Sequence, residues 1–447
     1  MILALHVPLA LAVHSVPYVG LAHKVITSLY VLRLGFRGQD RVVMLCAGAY
    51  VIGAEALWRI VDAPGPWEVG KYLLIAMFGW AMLRRREWFS AGLPALFGLL
   101  LLPSIAMYGT WPFKMDIRNA LGNDLSGPLA LAVTGAFCAR AGLTRAGLGR
   151  ILVWMIAPVV SVLVLCVYGT VGAGDLTFRT SSIDATSGGF GPNQVAAVLG
   201  YGMAASLLVA LGERGAGARH AGLAGLALAF GAQSALTFSR GGLYNTGGAL
   251  LCGLFPLVAS SRYRGRAVAV MGIVAVVGVG WVAPRLVEFT DGAITKRFSN
   301  TSLTHRELII AGDLMLFAQY PLLGVGPGVS PAVRPLRGGR PHTEYSRLLA
   351  EHGVLGALAI CLLAVMVVRA VAGAKGGYAK ATAILLSVWT LLYMTNAAMR
   401  LAAPAFMFGL ALCRMQFDEA GAPAAERQAE TPVLTAGRHR RSRRHSR

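Results

Sequence analysis

Apolar runs of membrane-crossing length, joined by connections that are basic at every second position, constrain this chain more than any other feature. A helix needs about 20 mostly apolar residues to cross about 30 Å of hydrocarbon. Runs of this kind lie near 42–60, 68–83, 89–108, 121–139, 149–171, 192–211, 221–238, 241–260, 267–284, 349–368, 381–396 and 401–413. The connections Arg33 to Arg41, Arg84 to Arg86, Arg140 to Arg150, Arg214 to His220, Arg262 to Arg266 and Arg369 to Lys380 are all basic. Between them fall Val61 to Glu68, Gly109 to Asn119, Gly172 to Gly191, a minimal turn at Ser239, a long stretch from Arg285 to Leu348, and Thr395 to Arg400. Short basic connections stay in the cytoplasm, so this alternation predicts both the number of crossings and their direction. The expected fold is an all-α, polytopic membrane protein with about 12 spans (12 to 14 if the first 33 residues contribute). The expected division is a transmembrane bundle over 1–284, an external loop over 285–348, further membrane helices over 349–413 and a basic cytoplasmic tail over 414–447.

Composition agrees. The 447 residues are 56% hydrophobic and only 14% charged, which excludes both an ordinary soluble protein and a disordered chain. A formal net charge of +21 could suggest nucleic acid, but its placement on alternate connections makes it a topology signal, and no nucleic-acid partner is expected. The N-terminus lacks a basic leader and a small-residue cleavage site, so no removable signal peptide is expected. Residues before Arg33 suit either a tight hairpin or an interfacial helix, broken near Pro8, His14 and Pro17. All six cysteines fall in apolar stretches, with no CxxC and no Cys/His cluster, and read as packing residues.

Polar chemistry collects on the external side. The 64-residue loop carries eight basic and five acidic residues, and Arg179 and Arg240 add cations in shorter connections. Arg240, in Ser239-Arg240-Gly241-Gly242, either snorkels to the interface or binds an anion at headgroup depth, its glycines allowing close backbone approach. A surface helix is predicted from Thr304 to Gln319, with Leu308, Ala311, Met315 and Leu316 on one face and Arg306 and Asp313 elsewhere. Pro321 to Gly328 (PLLGVGPG) makes a poor nucleotide loop, since no strand precedes it, and reads as a tight structural turn against the membrane. Downstream, His342 is either a helix-start histidine or a general base that nearby cations keep neutral. Glu344 and Glu351 either orient it or pair with Arg347 at the surface. His305 and His352 match no common zinc spacing with His342, and no acidic pair, HExxH or GxSxG occurs outside, so neither metal nor cofactor is expected. The spans read as nearly free of Asp, Glu and Lys, which argues against an ion-coupled transporter.

The order of these motifs resembles the O-antigen ligase/polymerase superfamily of bacterial inner-membrane glycosyltransferases. Asn193 opens a span (Gly191-Pro192-Asn193-Gln194), and Ser239-Arg240-Gly241 follows. Next come Arg306, PLLGVGPG, and His342 leading into Glu351-His352-Gly353. The motif-bearing part covers roughly 185–360, and the first 180 residues agree in topology alone. The resemblance implies an undecaprenyl-pyrophosphate-linked glycan donor, used without metal at the periplasmic face. It implies that His342 deprotonates an acceptor hydroxyl, and that Arg240 and Arg306, with Arg179 third, bind the pyrophosphate. Ser239, Asn193, Glu344, Tyr345 and Arg340 stand beside them as supporting residues. Membrane lipids would surround the donor's chain. Three activities compete: ligation to lipid A–core, polymerisation of the glycan, and transfer to a protein serine. One dominant external loop and a basic tail of 34 residues, in place of a large further domain, favour ligation to lipid A–core. A lipid-linked glycan transporter is the alternative from another class.

Overall fold

The computed structural model describes residues 1–88, 91–112, 116–173, 178, 181–213, 217–300, 306–335, 341–415 and 417. Apolar runs become helices because a backbone in lipid must bond within its own segment. The first of them are α1 (Ile2–Ser15), α2 (Pro17–Arg37), α3 (Arg41–Ile60), α4 (Val69–Arg84) and α5 (Gly92–Leu101). A short α6 (Ile117–Ala120) passes through a π turn into α7 (Ser126–Cys138), followed by α8 (Arg145–Gly172), α9 (Pro192–Gly212), α10 (Ala218–Leu236) and α11 (Arg240–Ala259). Helix α12 (Ser261–Val277) runs through another π turn into α13 (Ala283–Phe289). The long loop holds α14 (Ala293–Ser299), α15 (Arg306–Gln319) and α16 (Ser330–Val333). The chain then enters α17 (Glu344–Gly373), α18 (Gly377–Asn396) and α19 (Ala403–Ala411).

Eight of the described helices are long and apolar enough to cross a membrane. The runs near 68–83, 121–139, 221–238, 381–396 and 401–413 are helical as well, as α4, α7, α10, α18 and α19, but shorter or less apolar. The first 37 residues form a hairpin that turns at Val16, where Pro17 opens α2. His6 Nδ1 lies 2.9 Å from Ser161 Oγ and the His14 ring packs on Tyr168, so α1 runs parallel beside α8. Among the described residues the sole strand pairing is a parallel bridge of Gly142–Leu143 with Arg414–Met415, so the protein is all-α.

The basic connections gather at one end of the bundle. Arg84 and Arg85 donate to the carbonyls of Phe36 and Gln39, Arg41 pairs with Glu87 at 2.5 Å, and Arg140 approaches the same carboxylate. Arg414 N donates to the Ala141 carbonyl and Lys375 N to that of Met415. A large apolar cluster joins α3, α4, α8, α9, α18 and α19 at the centre. The α12–α13 segment is mostly exposed, with 6% of its most apolar 18-residue stretch buried, so it lies at the edge of the bundle. Close helix contacts need small residues where no water drives association. Gly242 is one, since a Cβ there would strike the backbone of Ala196 and Ala197 in α9.

The few charges at the spans are gathered together: Glu55, Arg59, Glu68 and Lys71 form a buried ionic group between α3 and α4. Two positive and two negative groups face one another there, which is how buried charge is tolerated.

Helix α17 breaks at Gly353, whose φ of 60° and ψ of −139° belong to glycine alone. Residues 321–326 fill the break. Val325 N donates to the Ala350 carbonyl (2.9 Å), Gly326 N to that of Glu351 (3.1 Å), and Val354 N to that of Pro321 (2.7 Å). PLLGVGPG is therefore a structural turn, and its seat is a helix break within the protein. Gly353→Ala would place a Cβ 2.5 Å from the Pro321 carbonyl oxygen in a strained conformation. We expect a loss of about 3 kcal/mol or more, read as a lowered thermal midpoint in detergent. Gly149→Ala, a helical position with open space around it, is expected to leave the midpoint unchanged or slightly raised.

Candidate functional site

The end opposite the basic connections carries the polar loops. Four arginines converge there from separate elements: Arg240 from the start of α11, Arg297 from α14, Arg306 from the start of α15, and Arg400 from the α18–α19 turn. Arg240 Nη1 donates to the Asn300 carbonyl, Arg297 Nε to that of Phe238 (2.9 Å), and Arg400 Nη2 to that of Pro341 (3.0 Å). Arg306 has its pKa lowered by burial first and then by the positive charges of Arg240, Arg400 and Arg297. Burial and Arg240 act on Arg297 in the same sense. Like charges held this close favour an anion among them.

His342 stands against this cluster. Burial, then the charges of Arg306 and Arg400, lower its pKa to about 4, and a hydrogen bond to the Asn396 backbone carbonyl opposes them. The ring is thus neutral at physiological pH. Its Nδ1 is buried without a hydrogen-bond partner among the described residues. An imidazole that donates Nε2–H to a carbonyl keeps its lone pair on Nδ1, the nitrogen able to take a proton.

The surrounding backbone fixes this arrangement. Ala398 N donates to the His342 carbonyl (3.0 Å), and Met399 N donates to Glu344 Oε2 (3.1 Å). Glu55 Oε2 accepts from Ala402 N at 2.7 Å. Two buried carboxylates therefore grip the turn that carries Arg400. Glu344 in turn holds Arg347, which reaches Glu351 at 3.2 Å and the Asp124 carbonyl at 2.7 Å. Ser330 Oγ closes the chain onto Glu351 at 2.9 Å. The expected surface pairing of Glu344 and Glu351 with Arg347 is in fact a buried network. Its carboxylates do not touch the His342 ring; they hold the segments on either side of it.

Other expected residues fall out as follows. Ser239 Oγ donates to Asn193 Oδ1 (2.6 Å), tying the start of α11 to the start of α9. Tyr345 donates to the Leu391 carbonyl (3.0 Å) and packs in an apolar cluster, so it supports α17 against α18. The glycine after Arg240 admits Asn396, since a Cβ on Gly241 would lie 2.7 Å from Asn396 Oδ1. Close approach here is thus between parts of the protein. Helix α15 is turned from its expected orientation. Leu308 and Met315 point outward, whereas Ile309, Gly312, Asp313 and Leu316 are buried. Asp313 lies inward because Arg334 reaches it at 2.6 Å and Ser346 Oγ at 2.7 Å. Arg179, Arg340 and His305 lie outside the described residues. Among the described residues no group of three or more His, Cys, Asp or Glu is placed to hold a metal. Arg400 and Asn396 escaped sequence reasoning; the available signal was an arginine as the sole charge between two apolar runs on the external side.

Residues 223–361 match the family model for O-antigen ligase. The likeness to that family covers 139 of the 447 residues. The matched stretch runs from α10 into α17, so it contains Arg240, Arg297, Arg306 and His342, with Arg400 beyond it. No curated protein matches the chain. Arg347→Met should leave Glu344 and Glu351 buried without their cation, at a cost of about 3–5 kcal/mol. Thermal unfolding in detergent checks this, and adding Glu344→Gln and Glu351→Gln to the same chain should restore part of the loss.

Proposed function

We propose that the protein is a metal-independent glycosyltransferase of the bacterial inner membrane. It moves an O-antigen glycan from undecaprenyl pyrophosphate to a sugar hydroxyl of lipid A–core at the periplasmic face. The observation that carries this reading is a neutral histidine with a buried, unpartnered Nδ1 set against four converging arginines. The positive-inside rule puts that end of the bundle in the periplasm, opposite the basic connections, with the C-terminal tail in the cytoplasm.

Each part of the reaction has a candidate group. The acceptor oxygen attacks the anomeric carbon while the bond from that carbon to the pyrophosphate oxygen breaks. The hydroxyl proton passes to His342 Nδ1. Negative charge developing on the departing pyrophosphate falls among Arg240, Arg306, Arg297 and Arg400, which supply the positive charge that a divalent cation supplies in other pyrophosphate transfers. Arg179 and Arg340 join this group in the proposal as cations of the neighbouring loops. Glu344 and Glu55 act at one remove, as positioning residues for the Arg400 turn.

His342→Ala is expected to abolish transfer in a purified system while leaving donor binding intact; persistent transfer would remove His342 from the mechanism. The acid limb of kcat/KM should lie near pH 4, because the free protein keeps His342 neutral down to about that pH. Bound pyrophosphate offsets Arg306 and Arg400, so the acid limb of kcat should lie higher, toward the ordinary histidine value of 6.5. Arg240→Lys should lower kcat about tenfold or more, since a point charge lacks the guanidinium fork. Activity should survive EDTA; a loss that Mg²⁺ or Mn²⁺ restores would overturn the arginine mechanism.

A further inference from the structure

A cavity opens at the end of α3, along the connection to α4. It has a volume of about 290 Å³ and is lined by Lys24, Glu55, Trp58, Arg59, Asp62 and Trp67, among others. This is near the lower limit of small-ligand pockets, roughly 300 Å³. Its charges balance, with two cations facing two carboxylates, so it holds no excess for an anion. Hydrogen-bonding capacity is ample. Arg59 is 6% exposed, donates to Glu55 Oε1 (2.6 Å) and the Trp67 carbonyl (3.1 Å), and keeps a buried Nε with no hydrogen-bond partner among the described residues. Trp67 is half exposed, with the Arg59 guanidinium 4.9 Å from its ring centre and Phe190 edge-on to it. Lys24 Nζ bonds the carbonyls of Ala63 (3.0 Å) and Pro66 (3.4 Å), which fixes the turn bearing Asp62 and Trp67.

Balanced donors and acceptors beside an aromatic ring suit a neutral, polyhydroxylated ring, whose C–H face packs on tryptophan while its hydroxyls reach charged partners. The cavity is joined to the arginines through one residue. Glu55 lines it and also binds Ala402 N, two residues from Arg400, which itself bonds the carbonyl before His342. We propose that this cavity is the subsite for the acceptor saccharide, holding a neutral sugar of the core so that a neighbouring hydroxyl is presented to His342. The assignment rests on the glycosyl-transfer reading of the arginine–histidine site.

The test uses the full-length protein in nanodiscs and lipid-free core oligosaccharide as the probe, titrated by saturation-transfer NMR. Binding should be saturable, and Trp67→Ala and Asp62→Asn should each weaken it about tenfold. Trp67→Phe should recover most of the affinity, which separates loss of the ring from loss of the fold. Arg240→Ala should leave the affinity within about twofold, since Arg240 does not line the cavity. Absence of saturable binding, or indifference to both substitutions, would overturn the proposal. Equal displacement of the core probe by lipid-free O-antigen repeat would overturn it as well, marking a glycan-chain subsite instead. Binding that depends on Trp67 in a protein that transfers no glycan from lipid-linked donor would leave the cavity in place and overturn the transfer reading alone.

Discussion

A helix that breaks within a membrane protein exposes amides and carbonyls that lipid cannot satisfy, and the rest of the site depends on how α17 meets this constraint. The turn at 321–326 supplies the missing partners to Ala350, Glu351 and Val354. Because the turn must sit in the break, the loop that carries it is drawn down onto the bundle. Tyr108 and Trp111 hold the turn from the other side, donating to the Pro327 and Val325 carbonyls. Helix α15 arrives just before the turn and Arg334 just after it, so the position of Arg306 is inherited from a backbone requirement several residues away.

Charge is organised on two principles within a short distance. Below the loop buried charges pair: Arg347 with Glu344 and Glu351, Arg334 with Asp313, Arg59 with Glu55. Around His342, Arg240, Arg297, Arg306 and Arg400 come together from separate elements. Holding like charges together costs energy, and the paired networks beneath help to keep the elements that carry them in place. Burial, and after it the charges of Arg306 and Arg400, depresses the basicity of His342.

The helices were legible because lipid makes apolar length and connection charge the dominant signals, and both are local in sequence. Turning α15 by one position shows the limit of that reading. Its apolar residues suggested a face with Leu308 and Met315, yet the real inner face is set by Asp313 meeting Arg334 and Ser346. Arg400 and Glu55 were illegible for a related reason. Glu55 acquires its role from an amide 347 positions away, and no local pattern announces such a partner. His342 and Arg306 stood out from their placement in the loop, whereas the Asn396 carbonyl that faces the imidazole belongs to a different span.

The bond from Glu55 to Ala402 has a consequence for how this architecture can vary. It joins α3, outside the matched stretch, to the turn before the last helix, and Gly70 of α4 packs against the same alanine. The early helices and the final hairpin therefore form one mechanical unit that brackets the matched segment from both sides. Natural variants that remodel α3 and α4 must adjust Ala398–Ala402 in concert, and a recombinant joining the front of one relative to the back of another would inherit a mismatched seam at that turn.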